Sequence, residues 1–262
     1  EKDSDERESI AKEVKEEREV GRQMAAKLIG TVGLFEAAPK ATQYLNLVGQ
    51  TVANRSGRPE IDYRFAILKS DEANAYATPG GYVFVTVGLL LQLKSEAELA
   101  GVLAHEIAHI TEKHMYNEIR PKKGGTSATE TMTRFLSRGS SELGVAISKV
   151  VNRGIQILLE EGLGKEKEHA ADQVGIIYAA AAGYDGPALY AVIERLGNGK
   201  NSGQIKVHKT HPPFPERLKS LKKFMATQGI SPSTRAKQKG LAVLDRRFHE
   251  AMDALASRGP KT

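Results

Sequence analysis

The stretch "ANAYATPGGYVFVTVGLLLQL", residues 73–93, is the longest run without a charged side chain, and it forces a decision about the whole chain. It is long enough to cross a bilayer, which takes about 20 apolar residues. Yet Asn74, Pro79, Gly80, Gly81 and Gln92 interrupt it, and "YVFVTV" alternates with the period of a strand. An apolar segment that does not span a membrane has to be buried, so it is read as core sheet, and no transmembrane segment is expected. "YRFAILK" upstream alternates in the same way. Joined through "SDEANAYATPGG", the two strands predict a hairpin or a sheet of two to four strands.

The rest of the chain has helical spacing. Residues 4–28 are charge-dense with a narrow apolar stripe (Ile10, Val14, Met24, Leu28), and a second helix over about 36–54 ends at "NRSGRPE". Ser95 followed by Glu98 is a capping box, and the pattern it opens runs past His114 to Pro121. "KKGGTSATETMT" is read as a surface loop, followed by helices over about 128–160, broken near Gly139, and 165–182. Gly183, Asp185 and Pro187 mark a stop and a restart. "NGKNSGQIKVHKTHPPFPER" is an extended loop, and helices over about 215–228 and 240–256 complete the chain. No internal repeat or low-complexity segment interrupts this order. The fold class is therefore α+β, mostly helical around a small sheet. A single domain over 1–262 is expected, its core at about 60–225, with the helices of 4–54 and 240–256 packed on it.

The composition narrows the function. A net charge of +6 with both signs interspersed does not make a nucleic-acid groove, so no nucleic-acid partner is expected. The absence of cysteine excludes disulfides and thiolate metal sites and suits an oxidising compartment. The first residues, "EKDSDERES", lack an initiator Met, which suggests that any signal or anchor segment has been removed.

"GVLAHEIAHITEKH", residues 101–114, carries the chemistry. On a helix His105 and His109 are one turn apart and can grip one ion. Glu106 lies beside that stripe, where its carboxylate can take a proton from a metal-held water without ligating. The pattern is short, and a half-exposed helix with fortuitous histidines has the same residues. A third ligand is needed. His114, nine residues from His105, falls on the opposite side of the helix and cannot join the site, and Glu112 lies two turns along the ligand face, too far to close a compact site; it reads as a surface carboxylate or one supporting the ligands. "EKEHAADQVGIIYAAAAGYD" offers Glu168 and Asp172 on one helix face, with Ala170, Ala171 and Gly175 small enough for a close helix approach. Glu168 could ligate while Asp172 orients a ligand histidine. An acidic pair on a solvated turn would look the same.

Four blocks, "NAYATPGGYVFVTVGLL", "SEAELAGVLAHEIAHI", "EKEHAADQVGIIYAAAAGYD" and "THPPFPERLKSL", occur in an order that resembles the HtpX/BepA-like gluzincin peptidases, which include CaaX-processing and Oma-type proteases. The likeness covers about residues 60–225. It implies a zincin-like fold and a zinc metalloendopeptidase with one zinc ion per chain. His105, His109 and Glu168 would be the ligands, Glu106 the general base and Asp172 their support. His211 would approach the metal or the tetrahedral intermediate, and Arg217 would bond the site or the substrate near the developing oxyanion. His208 is a weaker rival of His211, and His169 and His249 read as surface residues. Where the family often has Ser-Arg before the third ligand, this chain has "GLGKEKEHAAD".

An extended peptide can pair with an exposed strand beside the metal. "YVFVTV", near Asn74 and Ala75, is read as that open edge, and Asn74, Ala75 and Tyr82 are the candidate substrate-binding residues. The resemblance further implies periplasmic quality control acting on unfolded or misassembled proteins, with membrane-associated envelope partners. The competing expectations are a chaperone-like assembly factor with a structural zinc, and a self-inhibited protease. In the second, His211 or the "KKGGTSATE" region would plug the metal.

Overall fold

The structure, a computed structural model, describes residues 2–120, 141–198, 214–231 and 241–257. Two long helices open the chain, α1 (Lys2–Val32) and α2 (Pro39–Ala53). The strands follow, β1 (Arg64–Leu68), β2 (Ala75–Thr78) and β3 (Tyr82–Thr86), and then α3 (Val87–Leu90), α4 (Glu96–Thr111) and α5 (His114–Ile119). Beyond residue 140 come α6 (Ser141–Gln156), which runs into a π-helical turn at Ile157–Glu161, then α7 (Lys165–Ala181) and α8 (Ala188–Asn198). The last described helices are α9 (Phe214–Thr227) and α10 (Leu241–Ala256). The fold is α+β and mostly helical, as expected.

Among the described residues the sheet has three strands, in the order β1-β3-β2. The two strands read from sequence do not form a hairpin: β1 runs parallel to β3, and Phe65 faces Val83 across the pair. The hairpin partner of β3 is β2, antiparallel to it, with Tyr76 opposite Phe84. "YVFVTV" is therefore the central strand, paired on both sides, and not the edge expected; β2 is an edge. Gly80, at φ 73°, makes the tight turn between them, a backbone shape that favours glycine.

Both sheet faces are covered, which is why its strands read as almost continuously apolar. Phe65, Ile67, Val83 and Val85 point into a core shared with α2, α4, α7 and α8. Leu68, Tyr76 and Phe84 point the other way, into a second core with Met24 and Leu28 of α1 and Val151 and Ile155 of α6. The helix α4 is buried along nearly its whole length. Ser95 caps it as expected, its hydroxyl accepting from the Glu98 N–H.

A buried carboxylate pins the far end of this arrangement. Glu96, at the start of α4, accepts from Tyr44 of α2 at 2.7 Å, from Tyr184 at 2.8 Å, and from the guanidinium of Arg247 on α10. Burial alone would raise its pKa, but these donors, Arg247 foremost, hold it below 4.5. The unfolded chain then binds the proton at higher pH than the native one. This stabilisation is complete above about pH 4.5 and drains away as the pH falls through the native value. Glu96→Gln should cost about 1–3 kcal/mol at pH 7. In urea titrations the gap between wild type and variant should close on acidification; a gap independent of pH would contradict this reading.

Candidate metal centre

The site forms where α7 crosses α4. His105 and His109 sit on one face of α4 with their Nε2 atoms 3.1 Å apart. Glu168, in the first turn of α7, sets its Oε2 3.6 Å from His105 Nε2 and its Oε1 3.3 Å from His109 Nε2. All three side chains are buried, and among the described residues they are the His/Cys/Asp/Glu cluster with donor atoms close enough to share an ion. Ligand atoms about 2.0–2.1 Å from a tetrahedral zinc lie about 3.3 Å from one another. The three observed separations bracket that value, so the donor set fits such an ion.

The small residues explain how two helices come this close. A Cβ on Gly175 would lie 3.0 Å from the backbone nitrogen of His105 and 3.1 Å from its Cα. That contact puts α7 against the His105 turn of α4, and Glu168, two turns earlier on α7, reaches the histidines.

Each histidine has a partner on its outer nitrogen. His105 Nδ1 lies 2.9 Å from Asp172 Oδ1. Arg217 of α9 grips the same carboxylate with two hydrogen bonds, Nε to Oδ2 at 2.9 Å and a terminal nitrogen to Oδ1 at 2.5 Å. Burial would neutralise Asp172, but the Arg217 charge and these bonds outweigh it and hold its pKa down to about 2. Burial also disfavours a charged His105, yet Asp172 and Glu168 raise its pKa to about 10, so an entering cation must displace a proton there.

The second partner corrects the sequence reading. The helix predicted to run through His114 stops at Thr111, and Lys113 takes a left-handed conformation at φ 53° and ψ 31° before α5 begins. The break turns His114 inward, and its Nδ1 lies 3.1 Å from His109 Nδ1. Burial, reinforced by the neighbouring His109, pushes its pKa down to about 3 and keeps it neutral.

Glu106 is buried beside the donors, in the wall of a cleft on the His109–Glu168 side and of another on the His105 side. Ala75 of β2 lines both clefts, so the structure brings the start of β2 to the site. Asn74 is also there, but its amide is spent on its own strand: it donates to the Tyr76 hydroxyl and accepts from the Ala75 N–H. Tyr82 is not brought to the site. It lies on the central strand, opposite Thr78 and Arg64, in a separate groove with Arg18 and Arg22. Arg217 is present, with its guanidinium turned to Asp172 rather than presented to a substrate, and its other terminal nitrogen lies 3.9 Å from Glu168 Oε2. Glu112 is exposed at the end of α4 and takes no part in the site. The positions of His208 and His211, and the "KKGGTSATE" region, lie outside the described residues.

Two histidines on one turn, a carboxylate from a crossing helix and a free glutamate beside them define a metallopeptidase centre on a helical scaffold. The chain belongs to peptidase family M48, whose model matches residues 39–225. It is 26% identical over 211 residues to the beta-barrel assembly-enhancing protease of Escherichia coli (strain K12), covering 78% of this chain and 42% of that protein. It is 26% identical over 196 residues to the mitochondrial metalloendopeptidase OMA1 of Schizosaccharomyces pombe, covering 74% of this chain and 56% of that one. A third relative, the metalloprotease YcaL of E. coli, is 23% identical over 201 residues, covering 73% of this chain and 74% of the relative. The chain thus spans less than half the length of the assembly-enhancing protease.

The helix crossing can be tested apart from the chemistry. Gly175→Val would drive a branched side chain into the His105 backbone, and overpacking of this kind costs about 1–3 kcal/mol. Thermal unfolding in a chelator should show that loss, and zinc should stabilise the variant less than wild type. An unchanged unfolding temperature would mean that the helices do not meet there.

Proposed function

We propose that this chain is a zinc-dependent endopeptidase that hydrolyses peptide bonds of unfolded or misassembled proteins. The observation that carries the reading is the trio of His105, His109 and Glu168, with donors 3.1–3.6 Å apart and Glu106 beside them in both clefts. These three residues would hold the metal. When bound, zinc supplies Lewis acidity, polarising a carbonyl and acidifying water. Glu106 takes the proton of the attacking water and returns it to the leaving amine. Asp172 orients His105, and Arg217 keeps Asp172 ionised, so the arginine acts by positioning. His211 is assigned a place near the metal on the strength of "THPPFPER" alone.

Substrate recognition is assigned to the outer edge of β2 at Ala75, with Asn74 holding that edge in shape. Main-chain hydrogen bonds to a strand edge do not depend on sequence, which suits unfolded chains. The names of the relatives, one enhancing beta-barrel assembly and another mitochondrial, support a role in envelope quality control. A periplasmic location agrees with the lack of cysteine, and no described helix is long and apolar enough to cross a membrane. Membrane-associated envelope partners belong to the same reading.

Metal analysis should find about one zinc per chain in the wild type. His105→Ala, His109→Ala and Glu168→Ala should each lose most of it. Glu106→Gln should keep the zinc and lose casein hydrolysis by about a hundredfold or more, since an amide cannot accept the proton. Zinc retained in full by Glu168→Ala would remove the two-helix site. Undiminished turnover in Glu106→Gln would leave a structural metal in an assembly factor.

A further inference from the structure

The backbone between α4 and α5 is strained in a way the fold alone does not require. Lys113 is the one non-glycine residue with positive φ among those described. Such a conformation costs about 1–3 kcal/mol and persists only where its surroundings enforce it. Glu13 of α1 meets this segment from outside, accepting from Lys113 Nζ at 2.8 Å and from Arg120 at 3.1 Å. The strained residue delivers His114. On a continuous helix that side chain would point away from the ligand face, but after the break its ring packs edge-on against His109, with centroids 5.0 Å apart and planes at 73°.

Proton bookkeeping assigns the contact a direction. The Nδ1 atoms of His109 and His114 are 3.1 Å apart, so one of them carries the proton and the other accepts it. His109 Nε2 faces His105 Nε2 and Glu168, where it must offer a bare lone pair to serve as a ligand. Its proton is therefore on Nδ1 and points at His114. His114 accepts at Nδ1, carries its own proton on Nε2 and is neutral. His105 is oriented by a carboxylate, whereas His109 is oriented by an uncharged ring. The two ligands differ for a physical reason. A divalent ion, the carboxylates of Glu106, Glu168 and Asp172, and the Arg217 guanidinium already cancel in formal charge, and a neutral partner leaves that balance intact.

We propose that His114 is a positioning residue that sets the tautomer and orientation of His109, and that left-handed Lys113 exists to place it there. This inference rests on the metal-binding reading above. Partners of ligand histidines typically contribute ten- to hundredfold to metal affinity. His114→Leu keeps a similar volume without an acceptor, and His114→Asn puts an amide oxygen close to where Nδ1 was. In chelator competition the Leu variant should bind zinc ten- to hundredfold more weakly, and the Asn variant should recover most of the loss. Nitrogen-15 NMR of the histidines in the zinc-loaded wild type should show Nδ1–H on His109 and a neutral Nε2–H ring at His114, a readout that needs no variant to fold. Wild-type affinity in His114→Leu, equal losses in Leu and Asn, or a proton on His114 Nδ1 would each overturn the proposal. Failure of the wild type to bind zinc would instead remove the metal reading itself, and His109→Ala, measured alongside, separates the two cases.

Discussion

Everything at this centre depends on a close crossing of two helices. A histidine pair on one turn is a local property of α4, but two donors do not make a selective site for a small divalent ion. The third comes from α7, and it arrives only because Gly175 lets that helix settle onto the backbone of His105. The remaining layers serve this crossing. The sheet and α2 pack α4 from one side and α8 from another, and Glu96 fixes the N-terminal end of α4 against α2 and α10. The turn that carries His105 and His109 therefore sits on a rigid axis, as a site made of short side chains needs.

The charges around the ligands obey a second constraint. Asp172 and Arg217 are almost fully buried, and taking such a pair out of water costs more than it returns unless the geometry is tight. The two-pronged contact meets that condition. It also converts an electrostatic cost into positional information, since a carboxylate held by two bonds cannot rotate away from His105. The arginine, contributed from 45 residues along the chain, thus locks α9 to the α4–α7 crossing.

What could be read in the sequence was what is local. The spacing of His105 and His109, the Ser95 cap and the Gly183 stop depend on neighbours within a turn, and α7 spans Lys165–Ala181 where 165–182 was expected. Glu168 and Asp172 were legible because their i,i+4 spacing sits among alanines. Strand β2 was not, since "AYAT" is only four residues long, mixes two alanines with Tyr and Thr, and ends on a Pro-Gly-Gly turn, so its identity comes from pairing with β3. The parallel pairing of β1 with β3 is equally non-local, and Tyr82 lands away from the clefts because it pairs with Thr78, at the opposite end of β2 from Ala75. His114 was misplaced because the helix breaks at a lysine, a residue with no intrinsic reason to adopt left-handed φ. The target of Arg217 could not be read at all, since nothing near it in sequence names Asp172.

Strand β2 has a consequence for self-association. An open sheet edge is a standing invitation to other strands, and proteins blunt such edges by shortening or covering them. Here the edge is four residues long and recessed, with Ile157, Leu158, Gly162 and Leu163 facing it across a cleft. Those walls cover the edge, so it presents no long row of open backbone groups on which a second sheet could build.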